Sequence, residues 1–146
     1  MDLDDLNKMW SIDCVIDELD LSKELRNIPV LHNKYFSIYS KFSLKMKKLK
    51  SELIELEKAK MEYYSGSMDE IELKQRGWKP NPLKILRTDL NKYIESDKEI
   101  IELSLRIGYL LQIIEYLENI IKQINNRGYY ISDIIKWEKF RSGVNY

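Results

Sequence analysis

The sequence predicts an all-α protein, two long amphipathic helices with short helices around them, and three observations carry that prediction. Tyr35, Tyr39, Phe42, Met46, Leu49, Leu53 and Leu56 recur at alternating spacings of four and three, which puts them on one face of a single helix. Ile100, Leu103, Ile107, Leu110, Ile114, Leu117, Ile121 and Ile124 repeat the pattern with spacings of three and four. Glycines, prolines and cap-forming residues punctuate the chain around these two tracts.

Residues 1–30 form an acidic N-terminal segment. Within it, residues 2–26 read as one or two short helices with Leu3, Leu6, Trp10, Ile16, Leu19 and Leu25 as apolar contacts. Pro29 is expected to separate them from the long helix beyond, because proline strains a helix that continues through it. Residues 33–66 form a basic long helix running from about Asn33 to Tyr64, with Gly66 as its natural stop.

Residues 67–95 read as a loop and short helices. Ser67 and Glu70 have the spacing of a capping box, and Gly77 is expected to end the helix they open. Pro80 and Pro82 in "RGWKPNPLKIL" enforce a loop followed by a brief extended piece. Thr88 is a cap for another short helix.

Residues 96–146 are assigned to an oligomerisation helix and tail. Ser96 and Glu99 make a second capping box, opening a helix over residues 97–127. Beside its main seam runs a second apolar stripe, Ile101, Leu105, Tyr109, Ile113, Tyr116 and Ile120. A helix apolar over two stripes is buried on two sides, and the second side is assigned to another subunit. The expected interface residues are Leu110, Ile114, Leu117, Ile121, Ile134, Trp137 and Phe140. Gly128 is expected to end this helix, and Ser132 to cap a final short one.

At 146 residues and 17.6 kDa, the chain reads as a single helical domain, residues 1–146, large enough for a modest core. A single cysteine, Cys14, precludes an intrachain disulfide and suits a reducing compartment. The first twenty-four residues hold eight acidic residues and two lysines, unlike a signal peptide. The most apolar run, "IGYLLQIIEYLENII", is interrupted by Gln112, Glu115 and Glu118, so no membrane span is expected. One histidine (His32), one cysteine and five scattered glycines supply neither a zinc site nor a phosphate-cradling loop. The chain is therefore expected to be no enzyme and to carry no cofactor.

Net charge is zero, but the charges are segregated. Residues 1–24 sum to −6, residues 41–92 to +5, residues 93–121 to −4 and residues 122–146 to +3. Segregation of this kind puts a basic band on a neutral particle, and such bands bind phosphate; the plainer alternative is solvated helix faces with local ion pairs. Lys41, Lys45 and Lys48 share one helical face with Glu52 and Glu55, and Lys47 and Lys58 share another. Lys60 falls on the seam itself, at a position the pattern reserves for an apolar residue. A second cluster, Lys74, Arg76, Lys79, Lys84 and Arg87, surrounds Trp78, which either stacks on bases of single-stranded nucleic acid or tucks back onto the core.

The stretch "EKAKMEYYSG", residues 57–66, resembles the signature of the UvsY family of bacteriophage recombination mediators, Leu-Lys-Ala-Arg-Leu-Asp-Tyr-Tyr-Ser-Gly. The opening "DLDDL" and the ending "IKQINNRGYYISDIIKWEKF" fall at distances comparable to the family's. The resemblance implies a ring-shaped homo-oligomer, a hexamer or heptamer, that binds single-stranded DNA in the cytoplasm of the infected bacterial host. It also implies contacts with a single-strand-binding protein and a RecA-like recombinase, the one being replaced by the other on the strand. Lys58 carries over from the motif, as does Lys60, with lysine where the family has arginine. That change keeps phosphate attraction but loses bidentate recognition. The loop around Trp78 departs from the family's pattern, so its role rests on physics alone.

The expected nucleic-acid-binding residues are thus Lys58, Lys60, Lys47, Arg76, Trp78, Lys79 and Lys84, with Lys60 at a helix end facing a ligand or a neighbouring subunit. The alternative function is a non-enzymatic helical scaffold or adaptor that binds proteins only.

Overall fold

The computed structural model describes residues 1–81 and 85–143. Five helices make up the fold, α1 (Leu3–Asp13), α2 (Leu21–Ser65), α3 (Glu70–Arg76), α4 (Leu90–Glu95) and α5 (Lys98–Arg141), and there is no strand among the described residues. The all-α expectation holds. None of these helices is long and apolar enough to cross a membrane. The chain divides into two compact units, Met1–Ser43 with Leu111–Tyr146, and Leu44–Leu110.

In the first unit, α1 starts with a reciprocal capping box. The Asp5 N–H donates to Asp2 Oδ1 (2.8 Å) and the Asp2 N–H to Asp5 Oδ2 (3.0 Å), satisfying donors that helix starts leave unpaired. Leu6, Leu31, Tyr35, Ile113, Leu117, Ile120, Ile124 and Ile131 are buried. Trp10 meets Tyr35 edge-on at 5.4 Å. Asp13 accepts from Tyr35 Oη at 2.7 Å and pairs with Lys34 at 2.6 Å, which fastens the end of α1 to α2. The buried Arg127 of α5 donates to the carbonyls of Cys14 and Val15 (both 3.2 Å) and to Glu24 Oε2 (2.9 Å), holding the α1–α2 connection.

Two expected breaks do not occur. Pro29 lies inside α2, although an interior proline costs about 3 kcal/mol. Val30 beside it is exposed, while Ile28 is half-buried and Leu31 and Tyr35 are buried on the following turns. Anchorage on both sides of the proline offsets one missing N–H. Gly128 likewise lies inside α5, so Ser132 caps nothing and the tail belongs to the same helix. A glycine here costs about 1 kcal/mol relative to alanine, and burial of Ile124 and Ile131 on the flanking turns outweighs it.

In the second unit, Leu90, Ile94 and Ile100 form a buried cluster against which Leu53, Leu56 and Tyr64 pack. Gly66 follows α2 at φ 78°, a left-handed stop suited to glycine. The caps differ from expectation by a residue or two. Asp69, not Ser67, caps α3, accepting from the Glu72 N–H at 2.8 Å, and Gly77 ends it at φ 69°. Asp89, not Thr88, immediately precedes α4. Asp97, not Ser96, receives the first N–H groups of α5, from Glu99 at 2.9 Å and Ile100 at 3.3 Å; the Ser96 hydroxyl donates back to the Lys92 carbonyl.

The interface assignment on α5 needs correction. Leu110, Ile114 and Leu117 are 4%, 8% and 0% exposed, so they belong to the chain's own packing rather than to a subunit contact. Ile121 and Ile134 are half-buried. Trp137 and Phe140 are exposed, and so are Ile101, Leu105 and Tyr109 of the second stripe.

Candidate nucleic-acid interface

Lys60 occupies a seam position near the end of α2, and helix geometry therefore turns it inward. Its side chain is 6% exposed and its Nζ lies 3.1 Å from Asp97 Oδ2 and 3.6 Å from Glu99 Oε1. The ammonium also sits 3.9 Å from the centre of the Trp78 ring and 5.6 Å from that of Tyr63, an attraction between cation and ring quadrupole. A buried charge is tolerated only when paired and hydrogen-bonded, and this one has a carboxylate on one side and an indole on the other. Lys60 does not face a ligand or a subunit rim. The seam breaks there because Asp97 meets it.

The paired tyrosines serve the same assembly. Tyr64 Oη donates to Asp97 Oδ2 at 2.5 Å, and Tyr63 Oη donates to the Lys79 carbonyl at 2.7 Å. Trp78 Nε1 donates to Glu99 Oε1 at 2.9 Å, and Tyr63 packs edge-on against both Tyr64 (5.1 Å) and Trp78 (5.3 Å). Burial opposes ionisation of Asp97, but the hydrogen bonds from Tyr64, Lys60 and the Ile100 N–H outweigh it and hold the carboxyl below its ordinary range. Burial, then the bond to Asp97, pushes the Tyr64 hydroxyl far up. The ring of Trp78 carries Lys60 against it, with the Arg76 guanidinium 5.0 Å from its centre. The indole is tucked back onto the protein and is not a free stacking platform.

Lys47, Lys58, Arg76 and Lys79 are exposed, and Lys47, Lys58 and Lys79 have no ion pair among the described residues. Lys84 lies outside the described residues. Lys58 and Arg76 line one shallow cleft with Glu55, Glu62 and Glu72, and Arg76 contacts Glu72 at 3.7 Å. A neighbouring cleft between Leu56 and Leu103 is lined by Glu52, Glu55, Glu99 and Glu102 against Arg76 and Arg106, the wrong balance for a phosphate. The exposed lysines are therefore the members of the expected set that reach an anionic strand without first breaking a bond. Sequence reasoning missed Asp97 and Glu99. The available signal was Lys60 itself, since a seam lysine requires a carboxylate on the facing helix.

The family described as "Recombination, repair and ssDNA binding protein UvsY" matches residues 9–144. The chain is 23% identical over 143 residues to the recombination protein uvsY of Enterobacteria phage T4, covering 98% of this chain and 99% of that one. Crystal structures of the bacteriophage T4 recombination mediator protein UvsY in two lattice types superpose with TM-scores of 0.84 at 22% identity. They cover 97% and 96% of this chain, and 98% and 99% of theirs.

Proposed function

Since the chain belongs to the UvsY family, we propose that it is a recombination mediator. It binds single-stranded DNA and promotes loading of a RecA-like recombinase onto DNA covered by single-strand-binding protein, in phage recombination, repair and recombination-dependent replication. The observation that carries this reading is the family match over residues 9–144, joined to exposed lysines that have no carboxylate partner among the described residues.

Lys47, Lys58 and Lys79 act as point charges toward phosphates, giving sequence-independent affinity that weakens with salt. Each such site is weak. A ring of subunits presents many of them to one strand, and the effective concentration of the remaining sites supplies the affinity a single site lacks. The exposed Trp137 and Phe140, with Ile101 and Leu105, are the apolar surface that favours assembly of a hexamer or heptamer. Lys60 contributes indirectly, by fixing Trp78 and the loop that carries Lys79. Work of this kind is binding and exchange rather than catalysis, and it takes place in the cytoplasm of the infected bacterium.

The test is recombinase loading. On single-stranded DNA precoated with single-strand-binding protein, the chain is expected to shorten the lag before the recombinase hydrolyses ATP. An unchanged lag at every ratio of chain to DNA contradicts the mediator role.

A further inference from the structure

In the unit formed by Met1–Ser43 and Leu111–Tyr146, α2 carries an aromatic ladder whose middle ring is left uncovered. His32 and Phe36, one helical turn apart, stack with ring centres 5.5 Å apart and planes 13° from parallel. Tyr39 continues the ladder at 5.8 Å and 32°. Phe36 is 47% exposed, while its neighbour Tyr35 takes the buried seam position. The three rings line one wall of an open cleft of about 400 Å³, and α5 supplies the other wall with Glu118, Lys122 and Asn125. Lys122 is exposed and has no ion pair among the described residues.

This combination selects a ligand class. Near-parallel rings with an open face gain most from another flat π-system. Lys122 adds a requirement for negative charge, and the Asn125 amide and the Glu118 carboxylate offer hydrogen bonds to the edge of a planar heterocycle. Glu118 already accepts from Tyr39 Oη at 3.4 Å, which holds the third ring in place. A basic peptide would meet Lys122 unfavourably, and an inorganic anion would gain nothing from the rings. Single-stranded nucleic acid satisfies all three conditions, since bases stack on aromatics while phosphates meet lysine.

We propose that His32, Phe36 and Tyr39 form a base-stacking subsite for single-stranded DNA, with Lys122 meeting an adjacent phosphate. The subsite deepens the proposed function and rests on it. It places base contact on α2 and α5 of this unit, whereas the sequence pointed to Trp78, whose ring is already occupied by Lys60.

The experiment titrates a fluorescein-labelled oligo(dT) with the full chain and three variants, each also measured by light scattering. Phe36→Leu keeps apolar bulk but loses the π-face, and is expected to bind roughly 5- to 100-fold more weakly, at unchanged mass and unchanged salt dependence. Phe36→Trp is expected to restore binding. Lys122→Gln is expected to flatten the dependence of log K on log salt by about 0.7. In the wild-type chain, irradiation with an iodouracil-substituted oligonucleotide is expected to place cross-links on the ladder. Phe36→Leu binding as tightly as wild type, or cross-links confined to other segments, overturns the subsite and leaves the proposed function standing. Phe36→Leu losing mass together with affinity also overturns it, identifying the face as a subunit contact. A wild-type chain that does not bind the oligonucleotide removes the proposed function and the subsite together.

Discussion

Lys60 Nζ lies 3.1 Å from Asp97 Oδ2, with side chains 6% and 7% exposed, and this pair converts an apparent defect in the α2 seam into its attachment to the start of α5. Removing one partner leaves an uncompensated buried charge. Lys60→Ala and Asp97→Asn are each expected to lower stability by about 3–5 kcal/mol, read as a drop in the urea midpoint. The paired replacement Lys60→Met with Asp97→Leu is expected to cost less than the sum of Lys60→Met and Asp97→Leu made singly. Costs that simply add would show that the pair is not coupled.

The same carboxylate sets an acid limit on the fold. The Asp97 pKa is depressed below 3.8 in the folded chain, so its contribution is fully present above that value. It is lost as pH falls below 3.8 through the lower folded value. Asp13 behaves alike, because the bonds from Lys34 and Tyr35 outweigh the burial that opposes its ionisation. Thermal melts are expected to show the wild-type advantage over Asp97→Asn constant near neutrality and shrinking below pH 3.8. A gap that widens with acid contradicts the sign.

Along α5, exposure separates two kinds of apolar residue. Trp137→Glu with Phe140→Glu, at 59% and 76% exposure, is expected to reduce the mass of the oligomer without loss of helical circular dichroism. Leu117→Glu, at 0% exposure, places a charge in the core and is expected to unfold the chain, since an unpaired buried charge costs several kcal/mol. An assembly that survives the exposed pair of changes would assign the ring contact elsewhere.

Gly128 offers a stabilising change. A Cβ added there would meet Ile28 Cδ1 at 3.9 Å, an ordinary contact, and alanine is favoured over glycine inside a helix by roughly 0.8–1 kcal/mol. Gly128→Ala is expected to raise the melting temperature. A lower one would show that α2 and α5 approach more closely than that contact implies.

The seams of α2 and α5 are legible in the sequence because a period near 3.6 survives translation into burial. Tyr35, Met46, Leu49, Leu103, Leu117 and Ile124 are all interior. Local punctuation is a weaker guide. Pro29 and Gly128 weaken a helix by amounts that flanking burial exceeds, and no local rule weighs that burial. At each short-helix start an aspartate (Asp69, Asp89 or Asp97) stands one or two residues beyond the serine or threonine expected to cap; aspartate is as good a cap as serine, so spacing alone does not choose between them. Lys60 is visible as an anomaly, but its carboxylate partners lie at the start of α5, and nothing near it in sequence names them. The ladder of His32, Phe36 and Tyr39 is hidden because Tyr39 fits the seam and Phe36 looks like its neighbour; only exposure tells them apart.

The most direct measurement of the central claim is the salt dependence of oligonucleotide binding by the wild-type chain and Lys58→Ala, followed by fluorescence anisotropy. Lys58 is exposed and unpaired among the described residues, so its removal leaves Lys60, Asp97 and the surrounding aromatic packing intact. The account predicts that the wild type binds single-stranded DNA and that Lys58→Ala binds more weakly across sequences. It also predicts a slope flatter by about 0.7 for each phosphate that no longer meets a lysine. In a ring that loss repeats in every subunit touching the strand. A wild-type chain with no affinity at low salt, or a Lys58→Ala variant with unchanged affinity and slope, would contradict it.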